Sequence, residues 1–427
     1  MNVGVIIFFI MLAVILVFRL PVGIGMLSMG VIYMMITGGN LKIIATGVLN
    51  LYYSNYILIA VPLFLFTANV MNSGRITEKI FDFTDGIVGR FRGGLAHVNV
   101  LASLIFAGMS GSASADASGL GNMEIAEMRK KGYDPAFSCA VTAASATLSP
   151  IFPPSIIMLL YSSLTGAQVG KLFMGGMIPA MGMAGALCLY IALVSKKKKL
   201  PYGTTYAIRV FLRFTIQAVP ALMTPVILLA CIYTGVVTPT EAGALAGVYA
   251  LVVSALVYRA ISPKALFQVL KDTIQGIGMV AITIGCASAI QYISGREKIP
   301  ALFGSLVLNL ASNKYVFLLL VNLLFIFMGM FLETNTITLV FIPIILPLVQ
   351  AFHIDLVHFG VIFCVNMMIG MISPPYGQLL FVTSAVSGVK VGDIIKEIFP
   401  MLVMLFVFLM LLTYCPALVT FIPDLLV

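Results

Sequence analysis

Apolar runs close to the length needed to cross a bilayer recur from one end of this chain to the other. The first, MNVGVIIFFIMLAVILVF, opens the sequence, and one of the last is MLVMLFVFLMLL, from Met401 to Leu412. A hydrocarbon core about 30 Å thick takes about 20 residues of α-helix. Only helices and closed barrels satisfy their own backbone there. The composition agrees: 61% of residues are hydrophobic and 9% charged, with a mean hydropathy of +1.12, whereas soluble domains carry roughly 45–50% apolar and about 25% charged residues. The chain is read as an all-α polytopic membrane protein. Its opening run has no basic n-region and no small-residue cleavage site, and Arg19 follows it. It therefore reads as a retained first span with its N-terminus outside, and not as a signal peptide.

The net charge of +9 marks cytoplasmic loops and not nucleic-acid binding, since no basic stripe is interleaved with aromatics. The cysteines (Cys139, Cys188, Cys231, Cys286, Cys364, Cys415) stand singly in apolar runs. His97, His353 and His358 form no ligand spacing, and the last two read as interfacial. Disulfides, zinc and iron–sulfur clusters are not expected. No GxxxxGK[ST] stretch occurs, so the chain carries no ATPase motor.

Spans are expected at residues 3–20, 21–37, 56–72, 134–164, 172–195, 218–237, 241–258, 277–293, 356–387 and 395–422. Residues 93–130 lie between two basic clusters, GRFRGG and MRKKGY. Both clusters want the cytoplasm, so the segment reads as a re-entrant hairpin. Residues 314–350 have the same form around LETNTIT. Short segments of mixed polarity at 40–52, 205–215 and 262–275 read as helices along the interface. This topology puts 19 of the 24 Lys and Arg residues in the cytoplasm, leaving Lys42, Lys171, Arg296, Lys298 and Lys314 outside.

The chain also repeats itself. A gapless shift of 221 residues pairs Ser73-Gly74-Arg75 with Ser294-Gly295-Arg296, Phe106 with Phe327, and Gly108-Met109 with Gly329-Met330. It further pairs Asp134 with Asp355, Pro153-Pro154 with Pro374-Pro375, and Pro179 with Pro400. Each half holds five crossings and a hairpin. Five is odd, so the halves insert in opposite senses, as in the inverted repeats of secondary transporters.

Each half sets a polar hairpin tip beside a broken span: MSGSASAD with SATLSPIFPPSI, and LETNTIT with MIGMISPPYGQ. Proline removes a backbone N–H and blocks the helix interior. Pro150, Pro153 and Pro154 interrupt one span; Pro374 and Pro375, with Gly370 and Gly377, interrupt the other. Freed carbonyls with Ser and Thr hydroxyls make a hard-oxygen cage for a small cation such as Na+. Freed N–H ends suit a carboxylate substrate. Asp116 and Glu333 are the acids nearest the tips, each a candidate cation ligand, substrate contact or helix cap. Arg296 is a candidate attractor of an anion, and Arg75 a topology anchor.

GMSGSASADASGLG, EMRKKGYD, SPIFPPSIIMLLY, GMFLETNTIT and ISPPYGQLLFV together resemble the large membrane subunit of TRAP (tripartite ATP-independent periplasmic, DctM-type) transporters, over essentially the whole chain. The resemblance implies Na+-driven uptake of an organic acid, such as sialic acid or a C4-dicarboxylate, across the bacterial inner membrane. It also implies two partners: a periplasmic substrate-binding protein and a small four-helix membrane subunit. The hairpins and broken spans would form a mobile elevator domain. Its regions would be a scaffold at 1–72, a transport region at 73–171, scaffold and cytoplasmic loop at 172–276, a second transport region at 277–392 and a terminal span at 393–427.

Carried over residue by residue, one cation site would fall on Ser110, Gly111, Ser112 and Ser114 with Ser149, Pro150 and Pro153. The second would fall on Thr334, Asn335 and Thr336 with Gly370, Ser373 and Pro374. Pro154, Ser155, Pro375 and Gly377, with Asp116, Glu333 and Arg296, are candidates for substrate binding or coupling. No cofactor is expected beyond the coupling ion. The competing reading in transport is a citrate or dicarboxylate symporter of the same elevator type that needs no binding protein. An intramembrane enzyme is disfavoured because the serines at 110–114 have no partnered His or Lys at membrane depth, and paired hairpins argue against a channel.

Overall fold

The structure, a computed structural model, describes residues 3–17, 22–54, 56–302, 304, 311 and 313–426. Arg19 and the junction of the first two expected spans lie outside the described residues. Among those described, the regular elements are helices, with one isolated antiparallel bridge between Arg92 and Tyr202. The first half comprises α1 (Val3–Val17), α2 (Val22–Thr37), α3 (Lys42–Ser54), α4 (Ala60–Ser73), α5 (Ile76–Val88), α6 (Gly94–Ser110), α7 (Ala113–Ser118), α8 (Leu120–Lys130), α9 (Pro135–Ala146), α10 (Ile156–Thr165) and α11 (Val169–Lys197). The second comprises α12 (Ile208–Tyr233), α13 (Pro239–Val252), α14 (Pro263–Arg296), α15 (Lys314–Gly329), α16 (Thr334–Ala351), α17 (Leu356–Met371), α18 (Gln378–Ser387), α19 (Val391–Tyr414) and α20 (Ala417–Leu426).

Seven described helices are long and apolar enough to cross a membrane: Tyr56–Ser73, Val169–Lys197, Ile208–Tyr233, Pro239–Val257, Pro263–Arg296, Thr334–Ala351 and Val391–Tyr414. The list includes α16, which the sequence presents as a hairpin arm.

Two expected interfacial helices do not exist as separate elements. Residues 205–215 run into α12 and 262–275 are the start of α14. Their basic residues, Arg209, Arg213, Lys264 and Lys271, are exposed on these helices and signal an end of the apolar stretch, not of the helix. Ser262 caps α14 by accepting from Ala265 N, with Pro263 in the first helical position where its missing N–H costs nothing. The region boundary expected at 276–277 therefore falls inside one continuous helix. The span expected at 395–422 is in turn divided, because α19 stops at Tyr414 and Pro416 begins a turn into α20. His358 is buried in α17 rather than interfacial, its Nε2 lying 3.0 Å from the Leu412 carbonyl oxygen.

The helices pack as two groups. In one, α4 lies on α13 and α14, α2 and α3 lie on α14, and α5 lies on α12. In the other, α9 is enclosed by α6, α8, α18 and α19, α15 lies on α17, and α10 lies on α16. The groups meet where α5 touches α6 and α14 touches α16.

The repeat is visible in local geometry. Asp134 caps α9 through Phe137 N at 2.8 Å, and Asp355, 221 residues on, caps α17 through His358 N at 2.7 Å. Both Pro153–Pro154 and Pro374–Pro375 are cis. Beyond the prolines the correspondence becomes 222: Gly166 and Gly388 end α10 and α18 with φ of 75° and 74°. Ser162 and Ser384 donate to the carbonyls of Ala167 and Val389, each at 2.6 Å. Tyr376 is the extra residue, so the pairing of Pro179 with Pro400 is one position out of register. Upstream, left-handed Arg75 (φ 56°) corresponds to left-handed Lys298 (φ 53°), and Arg296 is not the counterpart of Arg75.

Asp134→Ala and Asp355→Ala should each lower stability by about 1 kcal/mol, the usual cost of losing an N-cap acceptor, with the Asn variants retaining most of it. Thermal unfolding in detergent measures this, and an unchanged midpoint in both Ala variants would contradict the matched caps.

Candidate functional site

The first helix–turn–helix reverses at Gly111, whose φ of +60° lies in the left-handed region. A side chain there would also meet the Pro154 carbonyl oxygen at 2.6 Å, so the tip and the break touch through backbone. Ser110 and Ser149 are fully buried and share a hydrogen bond of 2.7 Å between tip and break. Ser112 caps α7 and Ser155 caps α10, the latter accepting from Met158 N at 3.2 Å. Before the prolines, the chain after α9 tightens: the amides of Thr147, Leu148, Ser149 and Ile151 each donate three residues back. The Cys364 thiol of α17 donates to the Pro150 carbonyl oxygen at 3.0 Å, so the second half satisfies a group that the first break frees.

The second half repeats the apposition with different atoms. Gly329 of α15 lies backbone to backbone against Gly370 of α17, where a Cβ on Gly370 would sit 2.7 Å from the Gly329 Cα. Gly377 N donates to the Met330 carbonyl oxygen at 3.2 Å, again tying tip to break. Thr334 opens α16 and its hydroxyl lies 3.4 Å from the Met371 sulfur. Asn335 donates to Glu333 at 3.1 Å. Ser373 donates to the Ile369 carbonyl oxygen at 2.7 Å, and the buried Thr336 hydroxyl has no hydrogen-bond partner.

Both tips open onto one cavity of about 410 Å³, within the range of small-molecule sites. Gly111, Ser112, Ser114, Pro150, Glu333, Thr334 and Asn335 line it. So do Ala113, Ile156, Thr334 and Gln378, the first residues of α7, α10, α16 and α18. Four helix N-termini therefore converge on one space, each carrying partial positive charge and unpaired N–H groups. The lining contains no Lys or Arg, and its one carboxylate is Glu333. A larger cavity of about 520 Å³ is lined by Glu78, Asp82, Asp85 and Glu127 against Lys131; that excess of carboxylates makes it a poor receptor for an acid.

Comparison with known proteins agrees with this architecture. The DctM component of tripartite ATP-independent periplasmic transporters matches residues 9–418. The chain belongs to this family. It is 35% identical over 406 residues to the sialic acid TRAP transporter large permease protein SiaM of Vibrio cholerae, covering 95% of each. It is 38% identical over 374 residues to the C4-dicarboxylate TRAP transporter large permease protein DctM of Pseudomonas aeruginosa, covering 87% of each. The crystal structure of the Alcanivorax borkumensis YdaH transporter shares the fold, with a TM-score of 0.62, 14% identity and coverage of 88% of this chain and 89% of that one.

This DctM-family chain is a multi-pass membrane protein and a transporter component. Of the residues singled out from sequence, Ser110, Ser149, Pro153, Pro154, Ser155, Thr336, Gly370, Ser373, Pro374, Pro375 and Gly377 stand behind the cavity lining, in the tips and breaks that shape it. Arg296 is elsewhere: it donates to Tyr292 at 3.0 Å and lies over the Tyr33 ring, beside the Tyr33–Glu297 hydrogen bond. Asp116 is fully buried without a hydrogen-bond partner and does not line the cavity. Sequence reasoning missed Leu65, Thr283, Met368, Met371 and Gln378 in the lining. Gln378 follows the PPYG break directly, a position that marks it as a helix start; the others carry no local signal.

Gly370→Ala should disrupt the tip–break contact, costing about 1–3 kcal/mol through overpacking against immovable backbone. Gly185→Ala, on an open face of α11 with nothing within 4 Å, should be neutral or stabilising by up to about 1 kcal/mol. Equal thermal midpoints for the two variants would contradict the close approach.

Proposed function

We propose that the chain is the large permease of a sodium-coupled secondary transporter that takes up an organic acid anion of the sialic acid or C4-dicarboxylate class across the bacterial inner membrane. The observation that carries this reading is the convergence of four helix N-termini and two hydroxyl-rich tips on one cavity without a basic side chain. Such a cavity attracts a carboxylate through backbone N–H groups. With Glu333 already present, a second negative charge needs a co-bound cation, which gives a physical reason for coupling to Na+. The cation ligands would come from Ser110–Ser114 with the first break and from Thr334–Thr336 with the second. Thr336, with its unpartnered hydroxyl, has an acceptor to spare.

The two matched tip–break pairs also support alternating access. In this reading the helix–turn–helix segments are re-entrant from opposite sides, and the second packing group, which contains both breaks, moves as the elevator against the first. The names of the relatives support delivery by a periplasmic binding protein and assembly with a small membrane subunit, in preference to a binding-protein-independent symporter.

Ser149→Ala and Ser373→Ala, reconstituted in proteoliposomes with the small subunit and binding protein, should raise the Na+ concentration for half-maximal uptake. A lost hydroxyl ligand worth about 1–1.5 kcal/mol corresponds to roughly a tenfold shift. An unchanged Na+ response in both variants would remove the assignment. The orientation has its own check, since Lys196–Lys199 should face the cytoplasm. A cysteine placed there should resist an impermeant reagent added outside intact cells, and labelling would reverse the topology.

A further inference from the structure

Away from the central cavity, two basic helix ends face one another. Helix α8 ends in Arg129 and Lys130, α11 in Lys196 and Lys197, and both close in the same way. Past α8, Gly132 N donates to the Arg129 carbonyl oxygen and Tyr133 N to that of Met128, at 3.1 Å each. Past α11, Lys199 N donates to the Lys196 carbonyl oxygen at 3.2 Å and Leu200 N to that of Ser195 at 3.0 Å. This pair of hydrogen bonds puts one residue in the left-handed region, a place that favours glycine. Gly132 takes it after α8, with φ 84°, but Lys199 takes it after α11, with φ 49°. The lysine run thus continues through a position where glycine would relieve both backbone strain and like-charge repulsion.

Between the two turns lies a cavity of about 160 Å³, lined by Gly132, Asp134, Phe137, Lys198, Lys199 and Leu200. A water molecule takes about 30 Å³, so the space admits a phosphate group. Lys198 is already engaged, paired with Glu397 of α19 and lying over the Phe137 ring. The Asp134 carboxylate is engaged as well, accepting from Phe137 N as the cap of α9. Nearby, Lys130 pairs with Glu127, and Arg129 donates to the Ser387 carbonyl oxygen. Lys196, Lys197 and Lys199 are exposed and, among the described residues, make no ion pair. Three uncommitted cations therefore stand on the turn that walls a polar cavity.

Their location decides which anion they meet. Helix α11 is long and apolar enough to cross a membrane, and Lys196 and Lys197 are its last two residues. Met181, Leu189 and Leu193 are exposed on it, each a multiple of four residues before Lys197 and so on one face. Gly185, in the same line, has nothing within 4 Å. An open apolar track thus runs along α11 and ends in lysine, the order of parts in a phospholipid from tail to headgroup. Basic pockets at the ends of membrane helices attract anionic lipids.

We propose that the turns after α8 and α11 bind the headgroup of an anionic phospholipid. Its phosphate is held by Lys199 with Lys196 and Lys197, and its tails lie along Met181, Leu189 and Leu193. A free phosphate ion shares the headgroup chemistry but leaves the apolar track unused. The inference needs only that α11 crosses the membrane, and it is independent of the transport reading.

Native mass spectrometry of the purified full chain in non-ionic detergent tests it, with dioleoylphosphatidylglycerol titrated against dioleoylphosphatidylcholine. One lysine beside an anionic lipid is worth about a fivefold change in affinity. The wild type should therefore prefer phosphatidylglycerol roughly a hundredfold, K199Q should cut that preference about fivefold, and K196Q/K197Q/K199Q should bring the two lipids level. K264Q/K271Q, which removes two exposed lysines of α14, should behave as wild type. K199G should raise the thermal midpoint of the lipid-free protein while weakening phosphatidylglycerol binding as K199Q does, a split that a merely structural lysine would not give. Equal affinity of the wild type for the two lipids would overturn the proposal. So would wild-type preference in K199G and the triple variant, or an equal loss in K264Q/K271Q. Inorganic phosphate that displaces the lipid at equal concentration would assign the site to the free ion and overturn it as well.

Discussion

An unpaired backbone N–H or C=O in hydrocarbon costs several kcal/mol, and this chain breaks two of its helices in their middles. Everything distinctive about the structure follows from where those broken ends find partners. The first break is braced by its own tip, through Gly111 and the Ser110–Ser149 hydrogen bond, and by the Cys364 thiol from the other half. The second is braced by the Gly329–Gly370 contact and the bond from Gly377 to Met330. What these contacts leave free is the set of helix N-termini that face the shared cavity. The fold thus converts a structural liability into a cavity lined by helix N-termini.

The two halves reach the same geometry with different chemistry. The first uses serine hydroxyls across the tip–break contact, where the second uses glycine backbone. The shared elements are the Asp caps, the cis prolines and the ten-residue helices beyond the breaks. The cavity is consequently lined unequally, with serines from one tip and Glu333, Thr334 and Asn335 from the other.

Much of this was legible in the sequence, because membrane depth narrows what a residue can be doing. Prolines inside apolar runs announce broken helices, and small polar runs announce close approach, so the tips and breaks stand out at Ser110–Ser114, Pro153-Pro154 and Pro374-Pro375. The helix ends at 205–215 and 262–275 look like separate interfacial elements in the sequence because Arg and Lys end an apolar stretch without ending a helix. The 221-residue offset ends at the prolines because Tyr376 adds one residue inside a turn, where no periodicity constrains length. Glu124 is fully buried, although NMEIAEMRKK, with two acids and three bases, resembles a solvated helix face. Its burial depends on α6, α9 and α18 closing over it, which no local pattern records.

The central claim is that an organic acid and a sodium ion occupy the receptor together and stabilise each other there. Linkage makes that claim quantitative: the factor by which Na+ tightens binding of the acid must equal the factor by which the acid tightens binding of Na+. Calorimetric titration of the purified permease complex with the acid across a range of Na+ concentrations, and the reverse titration, measures both factors. The account predicts equal factors well above one. Affinity for the acid that stays flat from Na+-free to saturating Na+ would contradict it.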